Sequence, residues 1–534
     1  MDEAFDIVVV GGGSAGGALA ARLSHDGRFS VCLLEAGKSD RHPFTRIPAG
    51  NIKAVQNPDF DFCYQVEPDP TIGGRADVWP AAKRLGGGSS INAMIFIRGN
   101  KWDYDHWAEL GAAGWDYASV LPYFKRLETN ERGADEHRGG SGPVSVSEGR
   151  AVYPLTQAWM DAAVQAGIPR SADLNGASAE GVDLIQLSQH KGWRHSTAAA
   201  YVRPAMGRKN LKVELEAFAR RVVVENGRAT GVEISQGGAI RTVRAKRGVV
   251  VSAGSMNSPK LLLQSGIGPA AHLKEVGVPV VKDLPGVGAN LQEHIGAHVV
   301  DRVTSRTVNT DIDPLAALGH ALNFLLNGRG ALTSSIGHAQ AFVATRPGLP
   351  APNIQLQFAP LAFDLNAQGK LELRKDSAAN TAVCVVRPKS RGTLRLRSGD
   401  PNDPPVISHH LLGDEDDLEQ LAEGMDVARK IFAQPAFAKF VTGEIRPGPP
   451  FQEREPLKAF LRMASIPMYH PVGTCKMGTD PMAVVDPQLR VHGIDGLWVA
   501  DASVMPTLPA GNTNATAIMI GEKASDLVLA AISN

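Results

Sequence analysis

The sequence predicts an α/β fold that begins with a Rossmann-like dinucleotide-binding unit, and three observations support this prediction. Residues 5–10 form a short apolar run rich in β-branched side chains, which is typical of a buried parallel strand. Gly11, Gly13 and Gly16 follow at once in the spacing G-x-G-x-x-G, and small or apolar residues then recur at helical spacing. A second apolar run, residues 31–34, is followed by an acidic residue. Together these elements predict a βαβ unit that binds a dinucleotide.

The length and composition limit the possible classes of protein. A chain of 534 residues exceeds one ordinary core, so two or three domains are expected. Lys plus Arg and Asp plus Glu each number 55, which indicates neither a nucleic-acid nor an anionic-membrane partner, although a neutral sum can hide a local patch. The N-terminus lacks a secretory pattern, and no apolar run approaches the roughly 18–20 residues of a membrane span. We therefore expect a cytoplasmic protein without a membrane span.

The cysteines indicate no metal or disulfide framework. The four of them are scattered, and none stands in the C-x-x-C spacing of a zinc or redox site. The sequence therefore predicts no metal site.

Elements later in the chain predict a second domain and a nucleotide-binding domain built from separate segments. Further strands are predicted at residues 211–215, 222–224, 230–234 and 248–253. The block 301–460 lacks glycine-rich turns and mixes predicted helices with predicted strands, at 314–326 and 416–432 and at 353–358 and 382–388 respectively. We expect the nucleotide-binding domain to comprise 1–155, 195–300 and 465–534, and the substrate-binding domain to comprise 156–194 and 301–464.

The glycine turn has a direct physical role in binding a dinucleotide. Gly11 permits the tight turn, Gly13 lets the backbone approach a pyrophosphate, and Gly16 allows close packing of helix on strand. The N–H groups of the first helical turn then face the phosphate charge. Glu35 ends the second strand, where its carboxylate can accept hydrogen bonds from a ribose. The contacts predicted beside these residues are Ser14, Ala15 and Ala36. This motif alone does not separate FAD from NAD.

Three further segments carry motifs that a lone glycine turn does not explain. Residues 84–93 read RLGGGSSINA, and residues 254–268 read GSMNSPKLLLQSGIG. Residues 469–478 read YHPVGTCKMG and precede DASVMP at 501–506 and GNTN at 511–514. Together these segments closely resemble the glucose–methanol–choline (GMC) oxidoreductase family, most of all its choline-dehydrogenase-like alcohol dehydrogenases. The resemblance extends over essentially the whole chain, in the order of the family.

This resemblance implies an FAD-binding domain of the glutathione-reductase type and a substrate domain with an antiparallel sheet flanked by helices. Some members attach FAD covalently through a histidine just before the asparagine of the segment that corresponds to residues 84–93. Ile91 stands at that position here, so noncovalent FAD is expected, with Asn92 near the N5–O4 edge of the flavin. The FAD contacts implied by the resemblance are Arg84, Gly86, Gly87, Gly88, Ser89, Asn92, Ala93, Met94, Ile95, Val222, Ala253, Gly254, Tyr469, Asp501, Ala502, Asn512 and Thr513.

The resemblance also identifies His470 as the catalytic base and Asn512 as its partner. An imidazole titrates near working pH, so it can accept the hydroxyl proton of an alcohol while a hydride leaves the adjacent carbon. The amide of Asn512 can donate to the substrate oxygen as negative charge grows there. The last predicted helix, residues 516–532, would direct its N-terminus at the flavin. Met468 replaces the smaller residue usual in close relatives and is expected either to narrow the substrate cavity or to shield the flavin from oxygen.

The predicted function is the FAD-dependent oxidation of an alcohol to an aldehyde or ketone by hydride transfer to flavin N5. The expected partners are a small alcohol and an electron acceptor, which is a quinone, a dye-like acceptor or oxygen. Three alternatives stay open on the same fold: an oxygen-using alcohol oxidase, a redox-inactive hydroxynitrile lyase and a noncatalytic flavin-binding protein. The substrate, the physiological acceptor and the oligomeric state do not follow from the sequence.

Overall fold

A seven-stranded sheet, here called the nucleotide sheet, contains the predicted βαβ unit. The computed structural model describes residues 3–311, 314–334, 336–365 and 371–533. In spatial order, the sheet contains Leu211–Glu214, Val31–Leu34, Ala4–Val10, Ala239–Val251, Arg228–Gln236 and Phe218–Glu225, and Leu497–Val499 pairs with Ala239–Val251. Four strand pairs in this sheet are parallel, as a βαβ unit requires. They are Ala4–Val10 with Val31–Leu34, Val31–Leu34 with Leu211–Glu214, Ala4–Val10 with Ala239–Val251, and Ala239–Val251 with Leu497–Val499. The predicted first strand, helix and second strand are confirmed.

The strand predicted at residues 248–253 is in fact the end of a longer one. Ala239–Val251 begins as an exposed antiparallel partner of Arg228–Gln236 and becomes buried where it joins the first strand of the chain. Its exposed part alternates polar and apolar residues, so only the fully apolar end stood out in the sequence.

A second seven-stranded sheet, here called the substrate sheet, is antiparallel throughout. Its strands, in spatial order, are Val441–Arg446, Ile295–Val303, Ala378–Val385, Ile354–Ala359, Ala339–Val343 and Gly181–Leu184, and Ile466–Pro467 also pairs with Ile295–Val303. The predicted strand at 382–388 therefore begins and ends earlier than expected. The boundary predicted at residue 300 falls inside the strand Ile295–Val303.

Helices cover both sheets and supply the rest of the core. The longer helices are Ser14–Leu23, Lys101–Glu109, Tyr117–Leu127, Pro154–Gln165, Gly254–Gln264, Pro314–Asn327, Glu415–Phe432, Arg454–Ala464 and Asn514–Ser533. The last of these packs along Ser14–Leu23, and Glu522 on it accepts hydrogen bonds from Arg22 and Arg126. Among the described residues, no helix combines the length and apolarity that crossing a membrane requires.

Apart from the edge strand Gly181–Leu184, the chain enters the substrate sheet after residue 294 and leaves it before residue 468, through two strands that are hydrogen-bonded neighbours. Ile295 lies opposite Pro467, and Gly296 lies opposite Ile466. The N–H of Met468 donates to the carbonyl of His294 over 3.0 Å just beyond this pairing. Because these strands pair, His294, directly before the first strand, and Met468, directly after the last, lie next to each other.

Candidate active site

One cavity of about 1380 Å³ runs between the two sheets and contains most of the predicted site residues. At one end it is bordered by the glycine turn after the first strand. Gly13 is the N-cap of the first helix and makes no side-chain capping bond. The next two residues, Ser14 and Ala15, line the cavity. Because helix N-termini present unpaired N–H groups, this end of the cavity is suited to a pyrophosphate.

The glycines of this wall are of two kinds: one is packed too closely for any side chain, and others have space for a side chain only within the cavity. A Cβ on Gly16 would lie 2.0 Å from the carbonyl oxygen of Gly11, so the turn and helix pack backbone against backbone. A Cβ on Gly88 or Gly254 would meet no atom within 4 Å, although both residues line the cavity. The carboxylate of Asp501 accepts hydrogen bonds from the N–H of Gly254 (2.9 Å) and the hydroxyl of Ser258, which fixes the position of that turn.

Glu35 lies at the far end of this wall, where the sequence predicts the ribose site. Its two carboxylate oxygens accept the N–H groups of Gly12 (2.9 Å) and Gly37 (2.7 Å). Burial raises the pKa of this carboxyl to about 7, against the effect of those two hydrogen bonds. Each oxygen retains a second lone pair, so the carboxyl can still accept a ribose hydroxyl.

Asn92 is positioned by an arginine that the sequence analysis did not identify. The buried guanidinium of Arg194 donates to the carbonyl of Ser89 (3.1 Å) and to the amide oxygen of Asn92 (2.8 Å). The same amide oxygen accepts the N–H of Met94 at 2.9 Å. Met94 has a φ of 62°, an uncommon conformation for a long side chain that typically costs about 1–3 kcal/mol. The amide oxygen of Asn92 is thus committed to the protein, and its NH₂ group remains to contact a ligand.

His470 borders the cavity where the entry and exit strands of the substrate sheet meet. The backbone N–H of His470 donates to both carboxyl oxygens of Glu293, at 2.7 and 2.9 Å. Burial raises the pKa of this carboxyl well above its usual range. Tyr469 has a φ of 62°, so the loop is held in a strained conformation directly before the imidazole.

Hydrogen bonds assign the proton of the His470 ring to one nitrogen. His294 Nε2 lies 3.2 Å from the carbonyl oxygen of Val386, so this nitrogen carries the proton and donates. His294 Nδ1 therefore accepts, and it lies 3.0 Å from His470 Nδ1, which must then donate. The free lone pair of His470 is left on Nε2, 3.0 Å from the amide nitrogen of Asn512.

The imidazole of His470 is neutral over the ordinary working range of pH. Burial lowers its pKa to about 4 and lowers the pKa of His294 well below the usual value. Desolvation disfavours the charged ring in both cases. The neutral ring at position 470 can therefore accept a proton from a bound molecule.

The substrate sheet forms the opposite wall of the cavity through its side chains. Cross-strand register places His298, Ala382 and Gln357 side by side in one row. The next row, one step along the strands, contains Arg446, Val300, Asn380 and Ala359. All seven line the cavity, because directly opposed residues share a face. Gln357 Nε2 donates to Asn512 Oδ1 at 3.1 Å, which connects this wall to the His470 pair.

Met468 and the last helix also reach the cavity. Met468 lines it and packs over Gly296, where a Cβ would lie 2.5 Å from the methionine sulfur. The first turn of the helix Asn514–Ser533 contributes Asn514 and Ala517 to the lining, and Asn514 accepts the hydroxyl hydrogen of Ser14 at 2.7 Å. The N-terminus of this helix thus borders the same space as the glycine turn.

The cavity brings together most of the residues predicted as cofactor contacts and both catalytic residues. Those on its surface are Gly11, Gly13, Ser14, Ala15, Glu35, Ala36, Gly87, Gly88, Asn92, Ala93, Met94, Ile95, Ala253, Gly254, Tyr469, His470, Asp501, Ala502, Asn512 and Thr513. Five others lie behind it: Gly16, Arg84, Gly86, Ser89 and Val222. Of these, Gly86 donates its N–H to the carbonyl of Gly12, and Ser89 bonds to Thr197, so both support the loop.

Val222 lies away from the cavity surface. Its side chain is buried, and its N–H donates to the hydroxyl of Ser265 at 2.7 Å. The lining residues of this part of the chain are Ala217, Phe218, Ala219 and Arg220. The contact predicted at residue 222 stays a prediction, and the strand around it borders the cavity two to four residues earlier, at Phe218, Ala219 and Arg220.

A nucleotide groove that ends at a neutral histidine and a polar sheet defines the class of protein, a nucleotide-dependent oxidoreductase with a separate substrate domain. Family models described as GMC oxidoreductase match residues 5–296 and 388–521, and the chain belongs to this family. Its members are FAD-dependent oxidoreductases that act on alcohols, which confirms the cofactor predicted from the motifs. The groove fits FAD in this structure, since its glycines open to the cavity and its helix N-terminus is uncapped.

Similar proteins span the whole chain. The chain is 44% identical to the oxygen-dependent choline dehydrogenase of Rhizobium meliloti and 42% identical to that of Brucella canis. In both cases the match covers 98% of this chain and 95% of the relative. The crystal structure of pyridoxine 4-oxidase from Mesorbium loti is similar with a TM-score of 0.88 and 29% identity, over 98% of each chain.

Proposed function

We propose that this protein oxidises a small alcohol to an aldehyde or ketone, with His470 Nε2 as the base that takes the hydroxyl proton. The observation that carries the proposal is the hydrogen-bonded series from Val386 through His294 and His470 to Asn512. It leaves a neutral ring nitrogen whose lone pair faces the cavity and accepts only the amide hydrogen of Asn512, which a substrate hydroxyl would displace. General bases of this kind contribute on the order of 10²–10⁴-fold to a rate.

The two partner side chains have separate roles in this step. Before proton transfer, the NH₂ group of Asn512 bonds to His470 Nε2. A bound hydroxyl would take the place of the amide at Nε2, and the amide hydrogen then becomes available to the substrate oxygen as the carbonyl forms. Gln357 holds the amide oxygen of Asn512, which keeps the NH₂ group on the side of the histidine. His294 keeps the ring proton on Nδ1 throughout.

The nucleotide wall is proposed to hold FAD without a covalent bond. Ile91 offers no nucleophile at the attachment position, and Asn92, Gly88 and Asp501 border the groove. When bound, FAD would supply the acceptor for the hydride from the carbinol carbon. The hydride carries one hydrogen and two electrons, and the hydroxyl proton stays on His470. Met468 narrows the space in which the carbinol lies.

The names of the relatives indicate which molecules to test first. Choline and pyridoxine are primary alcohols, and oxygen is the acceptor named for the choline-specific relatives. We therefore propose a primary alcohol as substrate and oxygen as one acceptor. A panel of alcohols measured with oxygen and with an artificial dye separates oxidase from dehydrogenase activity.

The base is tested by His470→Ala in the FAD-loaded protein. Flavin reduction by the best alcohol, followed anaerobically by stopped-flow absorbance, should slow by about 10²–10⁴-fold. The FAD content should not change. The matched control is His338→Gln, which removes another buried histidine that lies outside the cavity. Equal reduction rates in His470→Ala and the unmodified protein would reject the assignment, and flavin that no alcohol reduces would reject the function.

The pH dependence follows from the direction of the pKa shift. Burial lowers the pKa of His470 to about 4, so the reactive neutral ring persists as the pH falls through 6.5. Flavin reduction should be lost only as the pH approaches the lowered pKa, because the protonated ring cannot accept a second proton. A loss centred near 6.5 in the same stopped-flow measurement would contradict the buried, neutral histidine.

A further inference from the structure

The helix Pro314–Asn327 presents a stripe of leucines to solvent. Its sequence contains no Asp, Glu, Lys or Arg. The exposed fractions are 58% for Leu318, 51% for Leu322, 67% for Leu325 and 79% for Leu326. These positions follow the spacing i, i+4, i+7, i+8, so they lie on one face of the helix. A stripe of this kind normally packs on a core, and here it faces outward.

The other face of the helix is fixed to the body of the protein. Phe324 is buried, and its ring lies 4.5 Å from the ring of Trp193. His320 Nε2 lies 3.1 Å from a carboxylate oxygen of the buried Asp311. The leucines are thus held in place on the surface by contacts that do not use them.

Neighbouring segments extend the apolar surface. Val152 is 86% exposed, and the backbone carbonyl of Arg150, two residues before it, accepts the N–H of Gly330, three residues after the end of the helix. Ile336, a few residues further along the chain, is also exposed. We call the leucine stripe together with Val152 and Ile336 the leucine surface. Clustered, exposed apolar side chains of this kind on a protein surface mark interaction sites.

Three exposed cations lie at the edge of the leucine surface, near the C-terminal end of the helix. Arg329 follows the helix directly, and the backbone of Lys191 packs against Gly328. The guanidinium of Arg46 lies 5.1 Å from the ring centroid of Trp193, which contacts Phe324 on the helix. All three cationic side chains are exposed. The surface therefore combines an apolar centre with a basic edge.

We propose that the leucine surface docks on a phospholipid bilayer that contains anionic lipids. The leucines would enter the boundary between headgroups and acyl chains, and the cations would contact the headgroups. The helix has 14 residues, fewer than the roughly 20 that a span requires, so it would lie in the plane of the interface. The basic edge favours a bilayer over a second copy of this chain, because its charge complements anionic headgroups.

The position of the cavity gives this docking a consequence for activity. Ile52 and Ile336 line the cavity and are both exposed, so its opening lies at the edge of the leucine surface. The short helical turns Pro48–Gly50 and Ala331–Thr333 pack on each other, which holds the two sides of the opening together. An apolar molecule dissolved in the bilayer would reach the cavity without crossing bulk water.

The test is sedimentation of the FAD-loaded protein with vesicles of phosphatidylcholine alone or mixed with phosphatidylglycerol. The unmodified protein should bind the mixed vesicles. Leu322→Glu combined with Leu325→Glu should lower the partition coefficient by about tenfold or more, because two leucines that would be buried in the bilayer are lost. The matched control replaces Ile240 and Val281 by Glu, because these exposed apolar residues lie on the nucleotide domain. Both variants should keep the dye-linked activity in solution, which shows that they fold.

The basic edge is tested separately by Lys191→Gln combined with Arg329→Gln. This variant should lose the preference for phosphatidylglycerol and keep the binding to phosphatidylcholine that the leucines provide. Failure of the unmodified protein to bind either vesicle would overturn the proposal, as would equal binding by the leucine variant. A dimer detected by light scattering that the leucine variant converts to a monomer, with no vesicle binding, would assign the surface to a second copy instead.

Discussion

The two walls of the cavity are built from different parts of the polypeptide. The nucleotide wall is mainly backbone: glycine turns, an uncapped helix N-terminus and N–H groups held by Glu35 and Asp501. The substrate wall is mainly side chains, which the register of an antiparallel sheet places in two rows. His470 lies where the two walls meet.

This difference determines how each wall should respond to substitution. A backbone wall has room for a ligand only while side chains are absent, so adding one should weaken binding of the cofactor. A side-chain wall keeps its shape when one residue changes, so substitution there should alter rate or specificity and leave the cofactor in place. The following predictions test this contrast.

The largest effect is expected on the nucleotide wall, for Gly88→Val. The new side chain would project into the open cavity, where it meets no protein atom but occupies the space of the ligand. A steric penalty of ~1–3 kcal/mol corresponds to roughly five- to hundredfold weaker FAD retention. The measurement is flavin absorbance per protein after gel filtration. Gly207→Val is the control, since a Cβ there also meets nothing within 4 Å and the residue lies outside the cavity lining. Equal FAD loss in both variants would contradict the idea of a backbone wall.

An intermediate effect is expected at the junction of the walls, for His294→Leu. The variant removes the acceptor for His470 Nδ1–H, so the ring loses its preference for a free Nε2. The loss of about 1 kcal/mol predicts a roughly fivefold slower flavin reduction, with FAD content unchanged. His294→Asn places an amide oxygen near the lost Nδ1 and should restore the rate to within about twofold. Equal rates for the two variants would show that the histidine serves only packing.

The smallest effect is expected on the substrate wall, for Arg446→Gln. The guanidinium lies 3.6 Å from Asp364, a long ion pair that leaves positive charge beside the cavity. Its removal should lower the KM for choline about two- to fivefold, because two like charges near a protein surface repel only modestly. The KM for the uncharged isostere 3,3-dimethylbutan-1-ol should not change. A parallel shift for both alcohols would mean that the arginine affects the shape of the wall and not its charge.

The nucleotide wall could be predicted from the sequence because its chemistry is local. The glycine spacing and the adjacent strands were sufficient to predict the first βαβ unit, and the structure confirms that unit. His470 and Asn512 stood out only through motifs of a known family, and the structure places both on the cavity.

The substrate wall could not be predicted in the same way, because its contacts depend on strand register. Nothing near His294 or Gln357 in the chain indicates that they contact His470 and Asn512, more than 150 residues away. Arg194 was missed for the same reason, since its role depends on the distant loop of Asn92. For Val222, a strand was predicted at 222–224, but it begins earlier, at Phe218, and the residues that border the cavity lie in the part that was missed.

The pairing of the entry and exit strands makes the segment between them separable. The strand that begins at Ile295 pairs with Ile466–Pro467, so the chain between them leaves and rejoins its host at one seam, while the edge strand Gly181–Leu184 stays with the host. Insertions with closely spaced ends are well tolerated by a host domain. Exchange of this segment between homologues would form chimeras that inherit a new alcohol preference and a new surface, while the His294–His470 pair, just outside the seam, stays with the host.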